Sequence, residues 1–448
     1  MQSHVCVHTE SMASCSQPNL DEAGLAANGT RHRHSCAVLH RACLFNSTIV
    51  PYGASEAEER HARAVADRLM IRNIFNSHST PFPLRDLHRL GGVRQGSGSL
   101  ADRILDAEVK ARGFSPCVPL VWRPVWAFNF GEQFANTISP LHELHAAKLV
   151  DSHVLLRPDL AAAKRPGWYQ QLFGAFSEQP LTSLREVGTR CLARDAQAKL
   201  RGDQLSGRPA QRCSAACYER LLICSFQSLL DTNQQVPAGF APWRAAQYVA
   251  AHVMRGTAEP PSPVWRVLFV NRTQTLNKDR RGLRRISNLA QLLEQCAGWT
   301  GVGVRCSARE FGKQGVASDI RAVREADVLV GTHGSALDNA LFMRRGSAMI
   351  EVRPYGFEGQ WPDRYLKLLT AIENAVHYYQ ISTGAPQLSS PRPPYDVLAW
   401  DAWNRDTKVP WRTLSGVLRT IFWVNRSTSR LKRLPMRVWT SLPSAPAG

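Results

Sequence analysis

Between Val264 and Pro354 the apolar and polar positions fall into blocks that fit strands and helices in regular succession. Trp265-Arg-Val-Leu-Phe-Val270 is a run of buried-strand length. Residues 287–295 carry helical spacing, 302–306 read as a second strand, 317–325 as a second helix, and Asp327-Val-Leu-Val330 as a third strand. That strand delivers Gly331-Thr-His333-Gly334 to its carboxyl end. Leu337, Ala340 and Leu341 then recur at i, i+3 and i+4, predicting a helix with Ser335 as N-cap and Asp338 at a capping-box spacing. Strands alternating with helices predict a parallel sheet with right-handed crossovers, a Rossmann-like domain.

Upstream the pattern is less regular. Apolar alternation begins at Cys36 and continues through Cys43-Leu-Phe-Asn46 and Pro119-Leu-Val-Trp122, with helical spacing over 57–71 and 134–149 and a glycine-rich loop over 91–98. Residues 1–34 are polar, rich in histidine and without periodicity, so they are expected to lack fixed structure. The proline-dense stretch 256–263 cannot continue a helix and is expected to be a linker. The chain therefore divides into an extension (1–34), an amino-terminal domain (35–255) and a carboxyl-terminal domain (264–448).

Charge and cysteines narrow the class. The net charge of +19, from 55 Lys and Arg against 36 Asp and Glu in 448 residues, calls for an anionic partner: nucleic acid, acidic polymer, membrane surface or phosphorylated ligand. No run approaches the roughly 18 apolar residues of a membrane span, and residues 1–10 lack a signal-peptide core, so the chain as given is expected to be soluble. Eleven cysteines include an amino-terminal group (Cys6, Cys15, Cys36, Cys43) and a second (Cys213, Cys217, Cys224). The spacing of the second group matches no zinc motif, which leaves structural or disulfide cysteines and no metal site. Sequons at Asn28, Asn46, Asn271 and Asn425 add to the lean toward a secretory compartment; Asn28, Asn46 and Asn425 are the glycosylation candidates.

The candidate chemistry lies where the third strand ends. A strand-turn-helix directs backbone N–H groups and a helix dipole toward a bound anion, and glycines let a phosphate approach closely. His333 stands beside that spot. Arg272 follows the first strand and reaches the same sheet edge, ahead of a basic stretch of Lys278, Arg280, Arg281, Arg284 and Arg285, and a guanidinium there can pair bidentately with a diphosphate. No GxGxxG follows a strand, which disfavours a dinucleotide oxidoreductase. The chain also has no Asp-x-Asp pair to hold a metal on a diphosphate, so arginines and a helix N-terminus must offset the phosphate charge.

Arg272, Arg285-Ile-Ser-Asn288 and Ala326-Asp-Val-Leu-Val-Gly-Thr-His-Gly334, with Asn339, Phe342, Gly346, Glu351 and Pro354, resemble the signature of glycosyltransferase family 61. The family includes plant xylan arabinosyl- and xylosyltransferases, the EGF-domain-specific O-GlcNAc transferase and a protein O-mannose N-acetylglucosaminyltransferase. The resemblance covers roughly residues 264–380, with His377-Tyr-Tyr379 as its last segment. Fainter matches lie at Cys36 to Asn46 and at Asn129-Phe-Gly-Glu132-Gln-Phe-Ala-Asn136.

The resemblance implies a GT-B architecture of two facing Rossmann-like domains and inverting, metal-independent transfer of a pentose or N-acetylhexosamine from a UDP-sugar to a glycan or glycoprotein. No cofactor is expected, and since the basic residues outside 278–285 are dispersed and no recognised binding module appears, no nucleic-acid partner is expected either. The resemblance also implies a Golgi or endoplasmic-reticulum lumenal protein whose membrane contact would run only through an anchor not present in this sequence. Arg272 and Arg285 are the candidates for diphosphate pairing, with the Gly334 and Ser335 N–H groups beside them. His333 is a candidate catalytic and donor-binding residue, Asn288, Asn339 and Glu351 are further donor-side residues, Asn129 lies on the acceptor side, and Glu132 is the carboxylate available as base.

Three departures from the family pattern bear on activity. Glu132 stands in place of its histidine, Asn136 in place of its aspartate, and Ser335, Ala336 and Asp338 in place of alanine, glycine and a small hydroxyl residue. A catalytically inactive relative that binds glycan or a partner transferase therefore stays open, as does a basic nucleic-acid-binding protein.

Overall fold

The computed structural model describes residues 20–23, 25, 35–45, 48–52, 55–68, 105–106, 109–124, 127, 129–160, 167–184, 187, 216–226, 241–254, 263–273, 284–299, 303–357, 374–390 and 405–442. These fall into two compact units, the second of which includes the short segment Asn129–Phe134 along with the carboxyl-terminal part of the chain. The expected linker lies outside the described residues from 256 to 262, as do the loop over 91–98 and most of 1–34, where Leu25 is buried.

The first unit is built on five strands: β1 (Ser35–Phe45), β2 (Thr48–Pro51), β3 (Pro119–Trp122), β4 (Leu155–Pro158) and β5 (Ala216–Ser225), in the order β2-β1-β5-β3-β4. Its sheet is mixed. β3 runs parallel to β4 and β5, as a Rossmann-like unit requires, but β1 runs antiparallel to both β2 and β5. The helix Glu56–Arg68 covers this sheet with Ala62, Val65 and Ala66, an i, i+3, i+4 set that joins Leu39, Val121, Leu155, Leu221 and Ile223 in one core. The predicted helix over 134–149 is instead a π turn, Phe134–Ile138, followed by the α-helix Ser139–Ala146 with Pro140 in its first turn.

Two disulfides, Cys36–Cys224 and Cys43–Cys217, join residues directly opposite one another on β1 and β5. They close separations of 188 and 174 residues, one nested within the other. The chain-entropy account gives their consequence: with one bridge intact, the other closes a ring of only about 14 residues, worth about 3 kcal/mol, whereas losing both also releases the long loop, for roughly 8 kcal/mol in all. Cys36→Ser with Cys224→Ser should therefore shift a urea unfolding midpoint moderately, and removal of all four sulfurs should shift it far more. Equal midpoints with and without reductant would contradict this. The bridges fit an oxidising, secretory environment.

The second unit holds a six-stranded, wholly parallel sheet: β6 (Trp265–Val270), β7 (Val304–Arg309), β8 (Val328–Thr332), β9 (Ala348–Arg353), β10 (His377–Thr383) and β13 (Val438–Ser441), in the order β13-β10-β9-β8-β6-β7. A separate antiparallel pair is formed by β11 (Ser389–Ser390) and β12 (Asp406–Thr407). The period of two in the strands sorts the faces. Val267, Phe269, Val328, Val330, Ile350, Val352, Tyr379 and Ile381 form one apolar face, covered by Leu414, Val417, Leu418 and Ile421 of the helix Trp411–Val424. The disulfide Cys296–Cys306 ties the helix Leu289–Ala297 to β7.

Buried Asp327, just before β8, is held at the amino edge of the sheet by Arg344 and Arg426 (2.9 and 2.6 Å) and by the Arg266 backbone N–H. Among the described residues no helix is long and apolar enough to cross a membrane.

Candidate functional site

In an open parallel sheet the carboxyl ends of the strands leave backbone groups facing a crevice, and there β6, β8, β9 and β10 converge their polar residues. The β8 turn requires glycine twice. A Cβ on Gly331 would lie 2.8 Å from the Val270 side chain, and one on Gly334 would lie 2.5 Å from Arg272 Nη1, at a φ of +149°. The Arg272 guanidinium thus occupies the space a side chain at 334 would take, and its Nη1 donates to the His333 carbonyl at 3.5 Å. Arg284 Nη1 is 3.5 Å from that same Cβ position. Its backbone, left-handed at φ +55°, is fixed by the Thr332 hydroxyl, which donates to the Arg284 carbonyl. Two guanidinium groups therefore flank one glycine.

Beneath them lies a buried polar network. Glu351 and Arg353 are two apart on β9, and Tyr378, Gln380 and Ser382 are two apart on β10; Gln380 is opposite Glu351 and Ser382 opposite Arg353, which brings the set onto one face. His333 Nδ1 contacts Glu351 Oε1 at 2.5 Å, Arg353 Nε and Nη2 donate to Glu351 Oε2 at 3.2 and 3.1 Å, and the Tyr378 hydroxyl also donates to Oε2. The His333 ring packs on Phe357 with centroids 4.6 Å apart.

Burial alone pushes the Glu351 carboxyl up, but the hydrogen bond from His333, the Arg353 charge and the Tyr378 hydroxyl outweigh it and hold the carboxyl below the usual carboxylate range. Burial lowers the His333 imidazole more than Glu351 raises it, and the Arg353 and Arg284 charges push the same way. Neutral His333 donating from Nδ1 to ionised Glu351 follows, which orients the ring and leaves Nε2 as an acceptor.

Several expectations need correction. After Gly334 the chain forms a 3₁₀ run, Ser335–Phe342, and Ser335 makes no side-chain cap, because Gly334 itself occupies the N-cap position. Arg285 points elsewhere: its Nε and Nη2 grip Asp406 at 3.0 and 2.7 Å, and Arg284 takes the place expected of it at the turn. The Asn288 amide clasps the backbone of Val409, donating to its carbonyl and accepting from its N–H, both at 2.9 Å. Asn339 donates to the Ala336 carbonyl within the turn. Both asparagines thus secure the backbone.

Sequence reading placed Arg284 only in the basic stretch and Tyr378 only in the last segment of the resemblance, and did not single out Arg353. The alternation Glu351-x-Arg353 on one strand was the available signal for Arg353.

The segment 129–134 reaches this turn from far away in sequence. Phe130 and Phe134 pack on Phe342 with centroids 6.2 and 5.2 Å apart, and a Cβ on Gly131 would meet the buried Asp338 carboxylate at 1.8 Å. Asn129 is half-buried and its carbonyl accepts from the Gln133 N–H. Glu132 lies on the helix Phe130–Gln133, and its side chain lies outside those described. Of the sequons, Asn28 and Asn46 lie outside the described residues, whereas Asn425 is exposed and Asn271 half-buried.

Among the described residues no group of His, Cys, Asp and Glu is arranged to hold a metal. A concavity of about 440 Å³ lies along β6 and β7, lined by Arg309, Glu310 and Lys313; it does not include the Gly334 turn, where the charged groups converge.

Residues 130–350 match the family described as Glycosyltransferase 61. Over 250 residues the chain is 32% identical to a beta-1,2-xylosyltransferase of Oryza sativa subsp. japonica, an alignment covering 53% of this chain and 45% of that protein. The chain thus spans under half the length of the curated relative it matches. From the Phe130 helix through the Gly334 turn to the strand that carries Glu351, the matched span supports membership of glycosyltransferase family 61.

Proposed function

We propose that the chain is an inverting, metal-independent glycosyltransferase of GT-B architecture that moves a sugar from a UDP-sugar to a glycan or glycoprotein in the Golgi or endoplasmic-reticulum lumen. The observation that carries this reading is the pair of guanidinium groups, Arg272 and Arg284, flanking Gly334 over the buried His333–Glu351 pair. In a single displacement the acceptor oxygen bonds to the anomeric carbon as the bond to the UDP oxygen breaks. A base takes the acceptor proton and the departing diphosphate takes up the negative charge. Arg272 and Arg284 are placed to stabilise that charge, and the Gly334 turn admits the diphosphate closely. His333 Nε2, oriented by Glu351, is placed to accept a hydrogen bond from a ribose or sugar hydroxyl. Glu132, on the helix packed against Phe342, is the candidate base.

Similarity to a xylosyltransferase makes UDP-xylose the first donor to test. A panel of UDP-sugars should give a saturable thermal shift and turnover that survives EDTA, with inversion at the anomeric carbon seen by NMR of the product. A requirement for added divalent metal, or retention of configuration, would refute the mechanism. A second reading, a non-catalytic glycan-binding relative, draws on Asp338, whose buried carboxylate sits one 3₁₀ turn past Gly334. Shifts with UDP but turnover with no donor would single it out.

A further inference from the structure

We infer that Asn425 carries an N-linked glycan and that Asn271, the other described sequon, does not. Attachment takes place on the unfolded chain in the secretory lumen, where the Asn amide nitrogen displaces the lipid diphosphate from the anomeric carbon of a lipid-linked oligosaccharide and loses one proton. Any Asn-x-Ser/Thr can react at that stage, and what survives in folded protein depends on whether the fold leaves room for the sugar.

Asn425 has that room. It is exposed and left-handed at φ +48°, the C-cap of the helix Trp411–Val424 at the corner before the helix Thr428–Lys432. Its sequon partner Ser427 caps the second helix by accepting from the Arg430 N–H, so the fold uses the hydroxyl without covering the asparagine. The neighbouring Arg426 pairs with Asp327 and packs against Gly346, which fixes Asn425 at the amino edge of the parallel sheet, away from the Gly334 turn at the carboxyl edge. A glycan there leaves the site open.

Asn271 is placed the opposite way. It is half-buried, its backbone N–H is bonded to the Arg309 carbonyl, and it immediately precedes Arg272, whose guanidinium lies over Gly334. A sugar there would crowd the anion site.

The inference rests on the lumenal reading above, so the experiment separates the two. The full chain is expressed behind a cleavable secretory leader in a eukaryotic host, its glycans are released enzymatically in ¹⁸O water, and peptides are mapped by mass. The Asn425 peptide should appear as ¹⁸O-labelled Asp in most molecules and the Asn271 peptide as unlabelled Asn. Asn425→Gly keeps the left-handed C-cap, so it should remove one glycan without loss of folding or donor binding. Unmodified Asn425 in protein whose Cys36–Cys224 bridge has formed would overturn this inference alone; unmodified Asn425 with reduced cysteines would overturn the lumenal reading with it. Modified Asn271 would overturn the second half.

Discussion

Arg272→Ala is expected to lower kcat/KM for sugar transfer roughly 10- to 100-fold, and Arg272→Ala with Arg284→Ala about a further tenfold or more. Charge-assisted hydrogen bonds contribute about 1.5–3 kcal/mol each, and two guanidinium groups on one departing diphosphate act mainly in the transition state. Stability should change little, because both side chains are only partly buried. Arg285→Ala is the contrast. Its guanidinium is committed to Asp406, so its loss should weaken the link between the Leu289–Ala297 helix approach and β12 and lower the melting temperature before it lowers kcat. Steady-state kinetics on the three variants would decide; a larger kcat/KM loss for Arg285→Ala than for Arg272→Ala would return the diphosphate role to Arg285.

Glu351→Gln should be the most destabilising single change in the second unit. It leaves Arg353 buried without its carboxylate partner and turns one of the two oxygens that accept from His333, Arg353 and Tyr378 into an NH2 donor, and breaking such a buried pair costs about 3–5 kcal/mol. A fall in melting temperature on the order of 10 °C is expected.

The pH dependence of stability has a definite sign. The folded-state carboxyl of Glu351 is held low, so its contribution is present above the unfolded value of about 4.3 and is lost as pH falls through the folded one. His333 is also held low, so the unfolded chain takes up a proton near pH 6.5 that the folded chain refuses, and stability falls as pH drops below that point. His145 and His377, each pushed down to about 4 by burial, add to the same slope. His333→Gln should flatten the melting-temperature profile below pH 6.5, and an unchanged slope would contradict a neutral His333.

The parallel sheet was legible in sequence because central strands such as β8 are buried on both faces and read as unbroken apolar runs, here Val328 to Val330. The Gly334 turn was legible because its φ of +149° is a backbone conformation that favours glycine. What sequence left obscure depended on distant partners. Arg284 and Arg285 are adjacent, and which one reaches the turn is decided by Asp406, 121 residues beyond Arg285. Asn288 is drawn away by Val409 over the same separation. The cysteine clusters announced bridges, but not which cysteine pairs with which across 188 residues. Capping-box spacing after Gly334 suggested an α-helix, whereas the chain turns more tightly into 3₁₀, with Asn339 tied back to Ala336.

Binding of UDP to the Gly334 turn is the central claim, and isothermal titration of UDP into the wild type and into the Arg272→Ala, Arg284→Ala double variant tests it most directly. The expected result is one saturable site in the wild type, weakened at least tenfold in the variant and progressively weaker with added salt. Equal affinity in the two proteins, or no heat of binding in the wild type, would contradict it.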